Sequence, residues 1–321
     1  MAKRRRTRGL MALVASVLVV SGCSSSAPDE GSPGGNGPTE ETVLDVTSTQ
    51  VSLEDGSRGG YDADGNQVVA TRELETTIWY PTEGDGPFPL VVFSHGYLAT
   101  PEKYEELLSR WSSAGMVVAA PRFPLSAEGA AEIRADVPQQ PGDVAFVLDQ
   151  VLRLAETPGS DIEGLVDPER IAAAGHSLGA LTTAFLRSEY GFVSGFDAAL
   201  VLAGGPLDYL VPELAEKPPL TFVDAGTPIL FVHGDQDDAI PVEQGEQLYG
   251  AAPAPKAFLE VPGADHSSTY EEDSYPTWPV VAEVTTDYLQ WALDIDPAAL
   301  EDLRSAVDGS GAAFLADDEL G

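Results

Sequence analysis

The sequence predicts an α/β protein, a mostly parallel sheet with helices on both faces. Three observations predict it. Between residues 76 and 293, short apolar runs alternate with stretches of helical periodicity, the pattern of βαβ units. Several of the runs are apolar at consecutive positions, as strands buried on both faces are. And Gly175-His176-Ser177-Leu178-Gly179, a GxSxG pentapeptide, stands between a small apolar run, Arg170 to Ala174, and a helix-like run, Ala180 to Ser188. A serine on so sharp a strand-to-helix turn is lifted out of the backbone beside the free N–H groups of a helix start.

The elements come in order along the chain. Thr76 to Tyr80 reads as an early strand ended by Pro81, and Leu90 to Phe93 as a short buried strand. Pro101 to Ala114 reads as helix, with Thr100 as N-cap, a proline at the first position and Gly115 as stop. Met116 to Ala120 is the next strand. Asp143 to Ala155 has Val144, Val147, Leu148, Val151 and Leu152 at helical spacing. After the pentapeptide come strands at Ala198 to Leu202, Ile229 to Val232 and Lys256 to Val261, and helices at Glu243 to Tyr249 and Val280 to Leu293. Two stretches break the rhythm, Phe123 to Pro141 and Gly204 to Thr227. The second is too short for more than a small lid, so little or no lid is expected over the site. Pro297 to Gly321 has room for a short helix and an acidic tail. Asp62-Ala63-Asp64-Gly65-Asn66 has some of the acids of a calcium loop but no distal Glu at the required spacing, and a hairpin turn is the better reading.

Residues 1–22 read as a signal peptide. Lys3, Arg4, Arg5, Arg6 and Arg8 form a basic start, and Leu10 to Val20 an apolar stretch too short to span a bilayer comfortably. Val20-Ser21-Gly22-Cys23 then looks like a bacterial lipobox, which would make Cys23 the lipidated N-terminus. Cys23 is the chain's one cysteine, so no internal disulfide can form. A diacylglyceryl group with an acylated amine would hold the protein at the outer face of the cell membrane. Residues 23–41 are rich in Ser, Gly, Pro and acids without apolar periodicity, a flexible linker reaching about 25 Å. Residues 42–321 are left as one domain, expected to be monomeric.

The chain carries 17 Lys and Arg against 52 Asp and Glu, a net charge of −35. Five of those basic residues fall in the first 22 positions, which hold no acid, so the chain beyond residue 22 is more acidic still. Such a field repels nucleic acid and other polyanions and excludes them as partners. It suits neutral or cationic substrates, and equally it serves solubility outside the cell.

The chain has four histidines, His95, His176, His233 and His266, each in or just after an apolar run. In open α/β sheets the site lies off the carboxyl ends of the strands, so these rings should gather on one rim. His95, His176 and His233 read as structural turn residues. His266 follows the last strand and comes after an acidic cluster. A serine hydroxyl is a poor nucleophile until a base lies within hydrogen-bond reach and a carboxylate orients that base. Ser177 is the candidate nucleophile and His266 the candidate base. Asp235, Asp237 and Asp238 are the candidate carboxylates. The backbone N–H of Leu178, next after the serine, is one candidate donor to the oxyanion.

The run Pro87 to Gly96, with Ile78-Trp79-Tyr80-Pro81 before it and the pentapeptide after, resembles the α/β-hydrolase superfamily. Within it the stretch is similar to platelet-activating-factor acetylhydrolase-like, chlorophyllase-like and cutinase-like proteins, the last related to dienelactone hydrolases. The likeness covers about Thr71 to Leu293. It implies a Ser…Asp…His order, met by Ser177, Asp237 and His266. Gly234-Asp235-Gln236-Asp237-Asp238-Ala239-Ile240-Pro241 resembles the family's Gly-x-x-Asp-x-x-x-Pro loop, which places the acid on Asp237. The His-Gly-x form of the loop after the Leu90 strand makes the Tyr97 N–H the second oxyanion donor. Departures are a serine where dienelactone hydrolases have cysteine, and no disulfide where many cutinases have one. The resemblance implies a serine esterase acting on small, lipid or polyester substrates, with no metal or cofactor. A peptidase or amidase on the same fold, and a non-catalytic binding lipoprotein, are the competing readings. A fluorophosphonate probe separates the last, since a binding scaffold leaves Ser177 unlabelled. Tyr97, Phe123, Tyr270 and Trp278 are candidate pocket aromatics.

Overall fold

The computed structural model describes residues 43–223 and 226–316. The segments read as leader and linker, and Cys23, lie outside the described residues. The strands are β1 (Val46–Asp55), β2 (Gly60–Tyr61), β3 (Gln67–Val69), β4 (Arg72–Pro81), β5 (Phe88–Ser94), β6 (Val117–Pro121), β7 (Val166–His176), β8 (Ala198–Leu202), β9 (Ile229–Gly234), β10 (Lys256–Val261) and β11 (Ala313–Ala316). The helices are α1 (Glu105–Ser113), α2 (Gln140–Glu156), α3 (Leu178–Phe185), α4 (Leu207–Leu210), α5 (Val242–Ala251), α6 (Ser268–Glu271), α7 (Trp278–Ala292) and α8 (Ala299–Ser310). Short 3-10 turns occupy Pro101–Tyr104, Arg134–Gln139 and Pro212–Leu214.

Among the described residues nine strands form one sheet in the order β1-β4-β6-β5-β7-β8-β9-β10-β11. The middle six, β6 to β10, run parallel. β1 and β4 join antiparallel at one side, and β11 joins antiparallel at the other. β2 and β3 make a separate hairpin whose turn is Asp62 to Asn66. Asp62 accepts hydrogen bonds from the Asp64 and Asn66 N–H groups there, and Gly65 takes φ 82°. The mostly parallel sheet flanked by helices is the α/β architecture that the alternation predicts, and the α/β-hydrolase fold that the resemblance implies.

The two-sided burial follows from the consecutive apolar runs. Along β5, Val91 and Phe93 point into a core shared with α1 and α7, while Leu90 and Val92 point into the opposite core, shared with α2. α1 buries Leu107, Leu108 and Trp111, residues at helical spacing on one face. The Trp111 indole N–H donates to Thr285 Oγ1 on α7 at 3.0 Å, so its one polar atom is satisfied inside the core.

Several element bounds differ from the sequence reading. The Pro101 helix begins as a 3-10 turn, becomes α-helix at Glu105, and Thr100 makes no side-chain cap. α2 starts at Gln140 because Pro141 sits in its first turn, where a missing N–H costs nothing. α3 starts directly after Ser177 and ends at Phe185. β1 is an addition. Its mostly exposed Thr, Ser and Gln carry no strong apolar signal, and pairing with β4 holds it in place.

A buried charge cluster joins this part of the sheet to α2. Arg72 on β4 is wholly buried and donates to Asp136 at 2.6 and 3.0 Å and to Asp143 at 2.6 Å. Asp143 also accepts from Arg58 at 2.7 Å. Burial pushes the Asp136 carboxyl up to about 6 against the pull of the Arg72 guanidinium.

Candidate active site

Ser177 sits at the tip of the turn from β7 to α3, with φ 56° and ψ −117°. A non-glycine residue held there is strained, and the strain presents its side chain to solvent at the top of the sheet. The flanking glycines explain how the turn closes. A Cβ on Gly179 would lie 2.0 Å from the Ser94 carbonyl oxygen, and one on Gly175 would lie 2.2 Å from that of Gly179. Only hydrogen fits at either place. The Ser177 N–H donates to the Leu202 carbonyl at 2.9 Å, which ties the elbow to the end of β8.

The sheet brings the three candidates together. Ser177 Oγ is 2.9 Å from His266 Nε2, and His266 Nδ1 is 2.7 Å from Asp237 Oδ2. The other oxygen, Oδ1, accepts from the Ala239 and Ile240 N–H groups at 2.9 and 2.7 Å. His233 Nε2 stands 3.3 Å from Oδ2 and donates to the Ile240 carbonyl at 2.7 Å. Burial works to raise the Asp237 carboxyl, but hydrogen bonds from His233 and His266 outweigh it and hold the group well below the usual carboxylate range. Asp235 and Asp238 are exposed, and Asp235 accepts from the Gly263 N–H at 2.6 Å, a loop contact away from the imidazole. Of the three acids, Asp237 alone reaches His266.

The loop after β5 closes over the serine. A Cβ on Gly96 would meet Ser177 Cβ at 3.3 Å, so this backbone lies against the serine side chain. The Gly96 N–H is bonded to the Tyr104 hydroxyl at 3.2 Å. Among the described residues, the N–H groups of Tyr97 and Leu178 meet no protein acceptor. Leu178 belongs to a buried apolar cluster with Leu181, Phe185, Leu207 and Val211, against which the partly exposed Tyr97 and Leu210 pack. The Tyr97 hydroxyl donates to the Glu132 carbonyl at 2.6 Å, and the Arg134 guanidinium lies 4.6 Å above its ring. Among its described residues, the stretch Gly204 to Thr227 holds α4 and one 3-10 turn. It is pinned by Tyr209 Oη to the Ala239 carbonyl and by Arg134 to the Leu210 carbonyl, at 3.3 and 3.4 Å.

With this fold and site in view, the comparison with known proteins decides the family. A PET hydrolase-like family model matches residues 44–296. The chain belongs to the PET hydrolase-like family. A bis(hydroxyethyl) terephthalate hydrolase of Streptomyces coelicolor is 27% identical over 304 residues, which cover 91% of this chain and 84% of that protein. Cutinase est2 of Thermobifida alba is 27% identical over 245 residues, 72% of this chain and 67% of the cutinase. Acyl-protein thioesterase 1 of Gibberella zeae is 25% identical over 211 residues, 57% of this chain and 85% of the thioesterase. This PET hydrolase-like chain is a carboxylic ester hydrolase with cutinase-like relatives.

The remaining candidates sort by burial. Phe123 and Tyr270 are fully buried, so neither lines an open pocket. Phe123 packs against His95, and the Tyr270 hydroxyl donates to the Val232 carbonyl. Trp278 is half-buried at the start of α7. His95 is a structural turn residue. It donates through Nδ1 to the Gly96 carbonyl and accepts the Phe123 N–H at Nε2. Burial lowers it to about 4, so it stays neutral. His176 does more than a turn residue. Its ring centroid is 4.9 Å from that of His266, and with Tyr104 it enters the hydrogen bonding of the site. No spacing in the sequence pointed to Tyr104.

Proposed function

We propose that this hydrolase cleaves esters through an acyl-enzyme on Ser177. The 2.9 and 2.7 Å contacts of His266 with Ser177 and Asp237 carry the reading. His266 takes the Ser177 proton as Oγ attacks the ester carbonyl, and Asp237 holds the ring in the tautomer that can do so. The oxyanion takes the unbonded N–H groups of Leu178 and Tyr97. His266 passes its proton to the departing alcohol, and the same steps with water in place of the alcohol release the acid. Tyr97 and Leu210, partly exposed members packed against the apolar cluster of Leu178, take the substrate's hydrophobic part. Its two relatives named for terephthalate diester and cutin hydrolysis support esters of aromatic or long-chain acids, polyesters included.

We further propose that residues 1–22 are a leader, that Cys23 carries the lipid, and that the single domain from residue 42 works outside the cell at the membrane face. Among the described residues no helix is long and apolar enough to cross a membrane. Replacing Cys23 by Ser should move the protein from the membrane to the soluble fraction, and continued retention would rule out the lipid.

The activity is tested on p-nitrophenyl esters from acetyl to palmitoyl and on bis(hydroxyethyl) terephthalate, with wild type beside Ser177→Ala. A rate lost in the variant supports the acyl-enzyme, and the best chain length sizes the acyl site. A rate that survives in Ser177→Ala ends the proposal.

A further inference from the structure

The acyl-enzyme reading leaves two buried polar side chains beside the site without a role. Tyr104 is wholly buried at the end of the 3-10 turn Pro101–Tyr104, and His176 is 2% exposed, one residue before the nucleophile. They form one continuous hydrogen-bonded chain. The Gly96 N–H donates to Tyr104 Oη at 3.2 Å. The Tyr104 hydroxyl donates to His176 Nδ1 at 2.8 Å. His176 Nε2–H donates to the backbone carbonyl of His266 at 2.7 Å.

With the imidazole neutral, the two ends set the direction of every bond. A backbone N–H only donates and a carbonyl only accepts, so the imidazole proton is on Nε2 and the tyrosine proton points at Nδ1. Burial, with the positive charge of a protonated His266 next, keeps His176 well below the usual histidine range. The ring is a fixed neutral strut. It spans four segments that the fold brings from far apart: the loop after β5, the 3-10 turn, the elbow and the loop after β10.

We propose that Tyr104 and His176 are positioning residues for the hydrolysis, joining the oxyanion loop to the peptide of the His266 base. The proposal rests on the acyl-enzyme reading. His176 holds the His266 carbonyl and packs on its ring, which keeps Nε2 within reach of Ser177. Tyr104 fixes the His176 tautomer. It also engages the Gly96 N–H, which leaves the next N–H, that of Tyr97, to meet the oxyanion. A buried pair that only filled space would stabilise the fold and leave turnover untouched. A misplacement of about 1 Å at a reacting group costs up to about 100-fold.

Tyr104→Phe is the direct test, because it removes one oxygen and keeps the ring packed 4.8 Å from Phe93 and 5.6 Å from His176. Turnover of p-nitrophenyl butyrate, the thermal midpoint and the imidazole ¹⁵N resonances are measured together, with Ser177→Ala as the control. The expected result is a kcat lower by about 10- to 100-fold with KM changed less than about 3-fold. Wild-type His176 should be the pure neutral Nε2–H tautomer at neutral pH, and the variant a mixture of tautomers. If Tyr104→Phe does not fold, His176→Gln is held to the same kinetic criterion. A folded variant with kcat within about 2-fold of wild type, or a change confined to KM, overturns the proposal. So does a wild-type His176 found protonated or as the Nδ1–H tautomer, a result that needs no variant. Activity surviving in Ser177→Ala would instead strike the acyl-enzyme reading, whatever Tyr104→Phe does.

Discussion

Asp237 shows how one residue is made fit for its place. Both carboxylate oxygens are occupied, Oδ1 by two backbone N–H groups and Oδ2 by His266. Replacing it by Asn keeps the shape and presents the wrong partner to Nδ1, which should lower kcat by about 10⁴-fold. Asp235→Asn touches only the Gly263 turn and should cost under about 10-fold; if it costs more than Asp237→Asn, the orienting acid is misassigned. The same carboxylate has a second, thermodynamic readout. Its folded-state affinity for a proton is depressed below the ordinary 3.8 of the unfolded chain. The stability this provides is complete above 3.8 and disappears as the pH falls toward the lower folded value. The stability gap between wild type and Asp237→Asn should therefore narrow in urea titrations below about pH 4, and a gap that widens there would contradict the depressed state. That Ser177 and His266 would meet was legible in the sequence, because chemistry restricts which residues can form such a pair. The acid needed the loop resemblance, since three aspartates stood within four positions. Tyr104 and the second role of His176 were not legible. Their partners lie 8, 72 and 90 positions away, a distance that no local pattern spans.

At the level of elements, the elbow is the most exacting piece. Gly179→Ala would press a methyl into the Ser94 carbonyl at 2.0 Å, and backbone cannot yield as a side-chain tip does. The variant should be less stable by about 1–3 kcal/mol or more and should no longer react with a fluorophosphonate. Labelling at the wild-type rate would mean that the turn tolerates a side chain. The strands that were legible share one trait. β8 and β10 match the sequence reading at both ends because each is a short apolar run with a clear boundary. β7 runs longer than its apolar part, back through Asp167, Pro168 and Glu169 to Val166, since pairing with β5 recruits residues whose own preference is weak. β1 was invisible for the same reason in stronger form. α2 shows the opposite error, a proline taken as a boundary that is in fact a helix start.

The molecule as a whole depends on a few buried links between its layers. Arg72 binds Asp136 and Asp143 with no solvent access for any of the three side chains. Arg72→Met would leave two carboxylates confined without their cation, and denaturant unfolding should show a loss of about 3–5 kcal/mol. A loss under about 1 kcal/mol would mean that Arg58 and water replace it. The fold class was legible at this scale because strand and helix alternate along the chain. The sheet's two antiparallel margins were not, because β1 and β11 are placed by partners distant in sequence. β11 has a consequence of its own. Its four residues cover β10, whose sequence Lys256-Ala257-Phe258-Leu259-Glu260-Val261 is mostly apolar. A chain cut back before Ala313 would leave that strand's N–H and C=O groups open to any other copy, an invitation to strand-on-strand aggregation. Light scattering during refolding, which should rise sharply on truncation to residue 312 and stay flat on truncation to residue 316, would expose this short terminal strand as a guard against precipitation.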